Sequence, residues 1–142
     1  NFGPRQHFEK LIPKMINNSL NDEPIPVYGD GKNIRDWIYV YDHVEMLIKL
    51  HMSETKYDEF NIGTNNEMTN IELIEVITNI LYEDYGIKTQ IKFIDDRQGH
   101  DRRYAIDNRK LLKHLNLENT IFNNSISFKN TVSWYLDNKN WW

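Results

Sequence analysis

The 142-residue sequence contains no cysteine, which excludes disulfides, zinc–thiolate sites and thiol catalysis. No apolar stretch approaches the roughly 20 residues that a membrane-spanning helix needs, and the N-terminus lacks the pattern of a signal peptide. The formal net charge of −4 argues against non-specific electrostatic binding of nucleic acid. It is compatible with a local site for a small anion. Hydrophobic residues make up 39% of the chain and aromatic residues 13%, which is enough for one folded core.

Glycine is scarce, and its placement excludes a dinucleotide-binding loop. Such a loop needs Gly-x-Gly-x-x-Gly between a strand and a helix. The nearest match among the six glycines is Gly29-Asp30-Gly31, which is too short and runs on into strand-like residues. Metal and serine-hydrolase signatures are absent too, because no histidine pair has helical metal-ligand spacing and no serine lies in a Gly-x-Ser-x-Gly elbow. The sequence therefore predicts no metal site.

The pattern of apolar residues and turn formers predicts helices and strands that alternate loosely. The first expected elements are a helix starting at or kinked around Pro13, an extended segment over 25–28, a turn at 29–31 and a strand over 34–40. A helix capped by Asp42 and a short strand over 59–62 follow, and then a helix capped by Thr69 and Glu72 and ended by Gly86. The last expected elements are a strand over 89–94, a short helix capped by Asp107, and a final helix opened by Ser125 or Ser127. This order is typical of a single α/β or α+β unit.

Two polar stretches are candidate anion sites. Residues 31–37 place Arg35 in an aromatic strand after a sharp turn, and residues 95–104 contain three arginines, a histidine and a tyrosine. Arginine presents a rigid donor fork that suits phosphate oxygens, so two arginines from distant segments could clamp a diphosphate. Composition favours a structural interpretation, because acids outnumber the bases nearby. In that interpretation the same arginines form ion pairs with Asp36, Asp95, Asp96, Asp101 and Asp107. The residues alone predict no more than a candidate anion site.

Motifs spread over the whole chain resemble those of a known family. They are Phe2–Gln6, Glu9–Pro13, Pro26–Gly31, Ile34–Trp37, Val40–His43, Asn61–Gly63, Asn66-Glu67, Asn70, Gly99–Asp107, Val132–Asn138 and Trp141-Trp142. Together they are similar to the dTDP-glucose 4,6-dehydratases. Most of them occur across the extended short-chain dehydrogenases, whereas the His-Asp-Arg-Arg-Tyr run with the terminal tryptophans is far more specific to the 4,6-dehydratase branch.

The resemblance implies an NAD-dependent lyase that converts a nucleoside-diphosphate glucose into its 4-keto-6-deoxy derivative. It implies an α/β fold in which residues 1–142 are the C-terminal substrate-binding domain of an extended short-chain dehydrogenase, with a small mixed sheet and several helices. The Rossmann half, which binds most of the NAD and carries the catalytic residues, is expected to lie outside this chain. We therefore predict no catalytic residue here, an inactive chain on its own, and a parent that is a cytoplasmic homodimer without membrane or nucleic-acid partners.

Position by position, the resemblance also implies a substrate site. Arg35 matches the arginine that binds the diphosphate, and the ring of Tyr28 could stack on the base. The other matched substrate contacts are Lys10, Leu11, Pro26, Val27, Asn70, Asp96, Arg97, Gly99, His100 and Tyr104, while Asn1 matches an asparagine near the cofactor. Lys10 can instead be a solvated helix residue, and Asn70 can instead cap the helix that follows it.

Two alternatives stay open at this point. One is a sugar-nucleotide epimerase or decarboxylase of the same superfamily, and the other is a non-catalytic module that binds sugar nucleotides. Nothing in the sequence separates a thymidine from a uridine nucleotide. The four tryptophans are expected to pack rather than to stack on ligand, and the aromatic-rich C-terminal end is expected to expose apolar surface.

Overall fold

A computed structural model describes residues 1–54, 58–118 and 122–141 and confirms the α/β class. The elements are α1 (Leu11–Leu20), β1 (Ile25–Tyr28), β2 (Ile34–Asp36), α2 (Val40–Met52), β3 (Glu67–Thr69), α3 (Asn70–Tyr85), β4 (Ile91–Ile94), α4 (Arg109–Leu115) and α5 (Asn124–Asp137), followed by a 3₁₀ turn over Lys139–Trp141. Within this part of the chain, no helix combines the length and the apolar character that crossing a bilayer requires.

The strands form one parallel and one antiparallel pair. β1 runs parallel to β4, with Ile25 opposite Ile91, and β2 runs antiparallel to β3, with Ile34 opposite Thr69. An isolated bridge also joins Ile34 to Arg103. Because β1 and β2 are consecutive, the turn at residues 29–31 lies where the two strand pairs meet.

The hydrophobic core lies between α1, α3, α5 and β1. Its fully buried side chains include Ile12, Met15, Ile16, Ile25, Leu73, Ile74, Ile77, Leu81, Val132 and Tyr135. The Tyr135 hydroxyl donates to the carbonyl of Gln6 at 3.0 Å, and burial raises the pKa of Tyr135 to about 12. Trp37 and Trp134 pack against this core, as predicted, while Trp142 lies outside the described residues.

Helix α3 confirms the local signals that predict it. The Thr69 hydroxyl accepts from the Glu72 amide, and the Glu72 carboxylate accepts from the Thr69 amide, which makes a complete capping box. Gly86 ends the helix in the left-handed conformation, φ +70°, that glycine adopts at low cost. The hydrogen bonds from Thr69 lower the pKa of Glu72.

The predicted strand over 34–40 is too long. It ends at Asp36, and α2 begins at Val40 with Tyr39, not Asp42, at the cap position. The Asp42 carboxylate lies in the first turn of α2, where the helix dipole favours a negative charge. The expected strand over 59–62 is also wrong, because none of the described residues 58–66 is in a strand.

Residues 64–66 are held instead by a side chain. The Asp36 carboxylate accepts from the Thr64 amide at 2.8 Å and from the Asn66 amide at 3.1 Å, and the Thr64 hydroxyl also donates to it. Strand β3 follows directly and pairs with β2. It has three residues, and the sequence does not indicate it.

Three helix starts also differ from the prediction. Helix α1 begins at Leu11, so Pro13 is in its first turn, where a missing N–H leaves no hydrogen bond unmade. Asn108, rather than Asp107, is the cap position of α4; the Asp107 carboxylate instead pairs with Arg109, which lowers the pKa of Asp107 to about 2.

Helix α5 begins at Asn124 rather than at Ser125 or Ser127. The side chain of Asn123 caps it by accepting from the amide of Ile126.

Exposed apolar side chains are concentrated on α2. At the tryptophan-rich end, where exposed apolar surface was expected, Trp141 is about half exposed. The exposed members on α2 are Tyr41, Val44, Leu47, Ile48 and Met52.

Candidate substrate-binding site

The turn between β1 and β2 requires glycine at two positions. Gly29 has φ +57°, and a Cβ there would lie 3.0 Å from the Asp96 carboxylate. Gly31 has φ +70°, and a Cβ there would lie 2.9 Å from a methyl group of Val27. The carbonyl of Gly31 also accepts from the amide of Ile71 at 2.9 Å, which docks the turn onto the first residues of α3. The turn is therefore tightly placed between β1, α3 and the residues that follow β4.

Residues 95–104, called loop 95–104 below, follow β4 and fold over this turn. The Ile34 amide donates to the carbonyl of Arg102 at 2.8 Å, and the Tyr104 amide donates to the carbonyl of Ile34 at 3.0 Å. The Gly29 amide donates to the carbonyl of Ile94 at 2.9 Å, just before the loop begins. These backbone bonds bring the two polar stretches of the sequence into contact.

Two of the loop arginines form structural ion pairs. Arg102 forms a bidentate ion pair with Asp30, in which the shorter distance, from Nη1 to Oδ1, is 2.8 Å. Arg103 pairs with Glu67 at 2.6 Å. The hydrogen bond from Arg102 lowers the pKa of Asp30 to about 2. For these two arginines, the expectation of structural ion pairs is confirmed, but the partners are Asp30 and Glu67 rather than the acids that the sequence suggested.

The other two arginines of the site have no carboxylate partner among the described residues. Arg35 donates to the carbonyls of Ile34 at 2.6 Å and Asp101 at 2.9 Å, and its guanidinium lies 4.5 Å from the centre of the Tyr104 ring. Arg97 lies 4.7 Å from the centre of the Tyr28 ring. Both guanidinium groups lie over tyrosine rings, and neither forms an ion pair with a described carboxylate. Asp96 still attracts Arg97 electrostatically, through a longer separation than that of an ion pair.

Loop 95–104 contains a chain of side-chain contacts around Arg97. His100 lies 2.7 Å from the Asp96 carboxylate and 3.3 Å from the Arg97 guanidinium, and its ring meets the Tyr28 ring edge-on at 6.4 Å. The hydrogen bond with His100 lowers the pKa of Asp96. Gly99, at φ +71°, provides the turn that returns the chain to His100.

Around Arg35, Asp101 provides two different contacts. Its carboxylate accepts from the Tyr104 hydroxyl, which raises the pKa of Tyr104, and its carbonyl accepts from Arg35. The same carbonyl accepts from the side chain of Asn33, which is 1% exposed.

Asn33 and Asp101 are site residues that sequence reasoning missed. Asp101 acts on Arg35 through its main-chain carbonyl, which no side-chain pattern reveals. A buried asparagine directly after a glycine turn is the one signal that could have pointed to Asn33.

The remaining predicted residues lie in different surroundings. Val27 is 2% exposed in the core, and Pro26 is half-buried on β1. The Asn70 amide donates to the carbonyl of Asn33 at 2.9 Å. Asn70 is the first residue of α3, so the alternative in which it caps that helix is wrong, because the cap is Thr69.

The structure does not join the N-terminal predicted residues to this site. Lys10 is the exposed residue before α1, and Leu11 packs at the edge of the core. The carbonyl of Asn1 accepts from the Gln6 side chain at 2.7 Å. No hydrogen bond, ion pair or ring contact of the described residues links these three to loop 95–104.

A second basic region lies next to α4, and its Lys110 is paired, unlike Arg35 and Arg97. An open cavity of about 420 Å³ is lined there by Asp58, Phe60, Lys110, Lys113 and His114. Lys110 is paired with Asp58 at 2.5 Å and covers the Phe60 ring, so this lysine is already neutralised. Lys110 thus contrasts with Arg35 and Arg97, which have no carboxylate partner among the described residues.

Chemically, the site at loop 95–104 is suited to binding rather than to bond cleavage. It offers two guanidinium forks and two aromatic rings, which suit a phosphorylated ligand with a planar base. Across the described ranges, no group of three or more side chains could hold a metal ion.

Comparison with known proteins agrees with this chemistry. The profile described as GDP-mannose 4,6 dehydratase matches residues 1–132. The chain is 42% identical over 151 aligned positions to the dTDP-glucose 4,6-dehydratase of Neisseria meningitidis serogroup B, covering 100% of this chain and 42% of that protein. The crystal structure of dTDP-glucose 4,6-dehydratase from Bacillus anthracis in complex with NAD superposes with a TM-score of 0.87 at 38% identity, covering 100% of this chain and 44% of that one.

An epimerase has a similar fold. UDP-glucose 4-epimerase from Thermotoga maritima, solved with UDP-glucose, gives a TM-score of 0.84 at 25% identity and covers 97% of this chain and 44% of that one. The chain thus spans less than half the length of the relatives that it matches. Since the family profile covers nearly all of its residues, the chain belongs to the GDP-mannose 4,6-dehydratase family.

Proposed function

We propose that the 142 residues form the substrate-binding domain of an NAD-dependent 4,6-dehydratase that acts on a nucleoside-diphosphate glucose. The identity to dTDP-glucose 4,6-dehydratases supports this, as does the likeness to a dehydratase solved with NAD. Those relatives are more than twice as long as this chain, and the proposal assigns NAD binding and the catalytic steps mainly to the length that this chain does not match. A homodimeric, cytoplasmic enzyme, and an inactive chain on its own, are parts of the same proposal.

One observation carries the proposal: the arginines of the site fall into two classes. Arg102 and Arg103 are neutralised by carboxylates, whereas Arg35 and Arg97 have no such partner among the described residues. A diphosphate supplies anionic oxygens for two guanidinium groups, and charge-assisted bonds of this kind are stronger than neutral ones. Arg35 and Arg97 are therefore assigned to the diphosphate.

The neighbouring residues are assigned to the rest of the nucleotide. Tyr28 and Tyr104 offer rings next to the two arginines, and Asn70 lies at the start of α3 beside the turn. Pro26 and Val27 would line the base with their backbone, because the side chain of Val27 is committed to the core. Lys10, Leu11 and Asn1 would complete the site from the side of α1 and the cofactor.

Calorimetric titration of the chain with dTDP-glucose and with UDP-glucose tests the binding part of the proposal. We expect Arg35→Ala to weaken binding about tenfold or more, as the loss of a charge-assisted bond would. Arg109→Ala is the matched control, because it removes an exposed arginine whose partner is Asp107 and should leave the affinity unchanged. Equal affinities for the wild type and Arg35→Ala would contradict the assignment, and the tighter ligand would identify the base.

A chimera tests the chemistry. The segment of the Neisseria meningitidis relative that this chain matches is replaced by the 142 residues, and the chimera is assayed for a 4-keto-6-deoxy product from dTDP-glucose. Formation of that product supports a dehydratase. Formation of a 4-epimer instead would favour the epimerase alternative, for which the Thermotoga maritima likeness is the supporting observation.

A further inference from the structure

We infer that Tyr135 is a positioning residue: its hydroxyl holds the turn at residues 3–6, and through that turn it positions Lys10 for a nucleoside-diphosphate sugar. The effect on affinity rests on the proposed function, whereas the hold on the turn can be tested without any ligand. The observation behind the inference is a pair of contacts between the two ends of the chain. The Tyr135 hydroxyl lies 3.0 Å from the carbonyl oxygen of Gln6 and 3.3 Å from that of Gly3.

The turn at residues 3–6 has a backbone that its surroundings must hold in place. Arg5 has φ +64°, in the left-handed region that is unfavourable for a residue with a side chain. Gly3 has φ +136°, and a Cβ there would lie 2.7 Å from a methyl group of Val40. The Val40 amide donates to the carbonyl of Phe2 at 2.8 Å, which fixes the chain just before the turn. A strained turn of this kind persists only where the structure around it determines it.

Helix α5 provides the contacts on the other side of the turn. The Phe128 ring stacks on the Phe2 ring at 4.5 Å, and the Arg5 guanidinium lies 5.4 Å from the centre of the Trp134 ring. Tyr135 adds a polar contact from a fully buried position. Because burial raises the pKa of Tyr135 to about 12, the hydroxyl keeps its proton near neutral pH and donates to the turn.

A short path leads from the turn to Lys10. The Gln6 carbonyl accepts from the Tyr135 hydroxyl, and the carbonyl of the next residue, His7, accepts from the Lys10 amide at 3.0 Å. Lys10 is the cap position of α1, and it is exposed. A cation whose main chain is already fixed loses less conformational freedom when it binds an anion, which strengthens the bond that it makes.

A purely structural role for the hydroxyl makes a different prediction, and α5 contains a matched control. Thr131, one turn before Tyr135, is also fully buried, and its hydroxyl donates to the Ser127 carbonyl at 2.7 Å. Tyr135→Phe and Thr131→Val each remove one buried hydroxyl from the same helix and keep most of the packing. Only Tyr135→Phe removes a hydrogen bond to the turn.

The first test is amide hydrogen exchange, measured by NMR on the ligand-free chain. We expect Tyr135→Phe to speed exchange of the Lys10 and Val40 amides about tenfold more than that of the Ile77 amide in α3, because the loss is local. Thr131→Val should not speed the first two amides more than the third. A uniform change in Tyr135→Phe, or the same pattern in both variants, would overturn the inference whether or not the chain binds sugar nucleotides.

The second test is a double-mutant cycle in which the chain is titrated with dTDP-glucose. We expect Lys10→Ala to raise Kd about tenfold, Tyr135→Phe to raise it about threefold, and Thr131→Val to leave it unchanged. Adding Tyr135→Phe to Lys10→Ala should change little further, because the residue that the turn positions has then lost its charge.

An unchanged Kd in Lys10→Ala or in Tyr135→Phe, or additive effects in the double variant, would overturn the inference. If the wild type binds no sugar nucleotide, the binding part of the proposed function fails, and the exchange measurement alone decides whether Tyr135 holds the turn.

Discussion

The helical core and loop 95–104 are stabilised in different ways. In the core, α3 alone contributes five buried apolar side chains, four of them with no exposed surface. Most residues of loop 95–104 are exposed, and the loop is held by backbone bonds, two glycine positions and exposed ion pairs. Burial of apolar area is a large term in folding, while exposed ion pairs contribute little. The difference implies that the binding surface can be altered with little effect on the fold.

The largest effect on stability should come from the core. Ile77→Ala removes a fully buried side chain of α3 and should lower the free energy of unfolding by about 2–5 kcal/mol, measured by urea denaturation. The matched control is Ile91→Ala on β4, where the side chain is 42% exposed and the cost should be much smaller. Similar costs at the two positions would contradict the contrast between core and surface.

Gly31→Ala should have the next largest effect, because this residue joins the two regions. Its φ of +70° is unfavourable for alanine, and the new Cβ would lie 2.9 Å from Val27 and 3.3 Å from Ile71. Gly86→Ala is a close control, because Gly86 has the same φ of +70° but nothing within 4 Å of the new Cβ. We expect the left-handed backbone to lower the free energy of unfolding by about 1–2 kcal/mol in both variants. Only Gly31→Ala should lose further stability, because of the close contacts of its new Cβ.

Removing the cap of α3 should cost less. Thr69→Ala deletes the hydroxyl that accepts from the Glu72 amide and should lower stability by about 0.5–2 kcal/mol, seen as a lower Tm. Thr78→Ala, within the same helix, removes a hydroxyl that donates to the Glu75 carbonyl and serves as the control. An unchanged Tm in Thr69→Ala would show that packing alone fixes the start of α3.

The smallest effect on stability should come from the ion pair that anchors the loop. Because the folded pKa of Asp30 is lowered from 3.8 to about 2, the contribution of the Arg102 pair is present above pH 3.8 and is lost as the pH falls towards 2. Asp30→Asn should therefore have a slightly lower Tm than the wild type above pH 3.8, and the two Tm values should converge as the pH falls towards 2. Identical pH profiles for Asp30→Asn and the wild type would contradict the pairing.

Local signals in the sequence account for most of the fold. The capping box and Gly86 define α3 because each involves neighbouring residues, and the apolar spacing of α1 and α3 identifies their buried faces. The strand end at Asp36 was not predictable in the same way, because the Asp36 side chain is bonded to residues 64–66. Strand β3 is three residues long and exists through its pairing with β2.

The sequence named some residues of the candidate site, but not Asn33 or Asp101, and not which contacts each arginine makes. Motif resemblance identified Arg35 and Arg97, yet the sequence could not separate them from Arg102 and Arg103. Whether an arginine is paired depends on which acids the fold places next to it. The bridge between Ile34 and Arg103 fixes the register of loop 95–104 and so decides which acids lie near each arginine. Partners such as Asp30 and Glu67 are distant in sequence and become neighbours only through that register.

The most direct test of the central claim is a map of backbone amide shifts as dTDP-glucose is added to the ¹⁵N-labelled chain. The proposed site predicts that the largest changes fall in residues 28–35 and 96–104, with the core residues of α3 almost unaffected. Changes concentrated instead around Phe60, Lys110 and His114, or no change in any amide up to the highest ligand concentration reached, would contradict the assignment of Arg35 and Arg97 to the diphosphate.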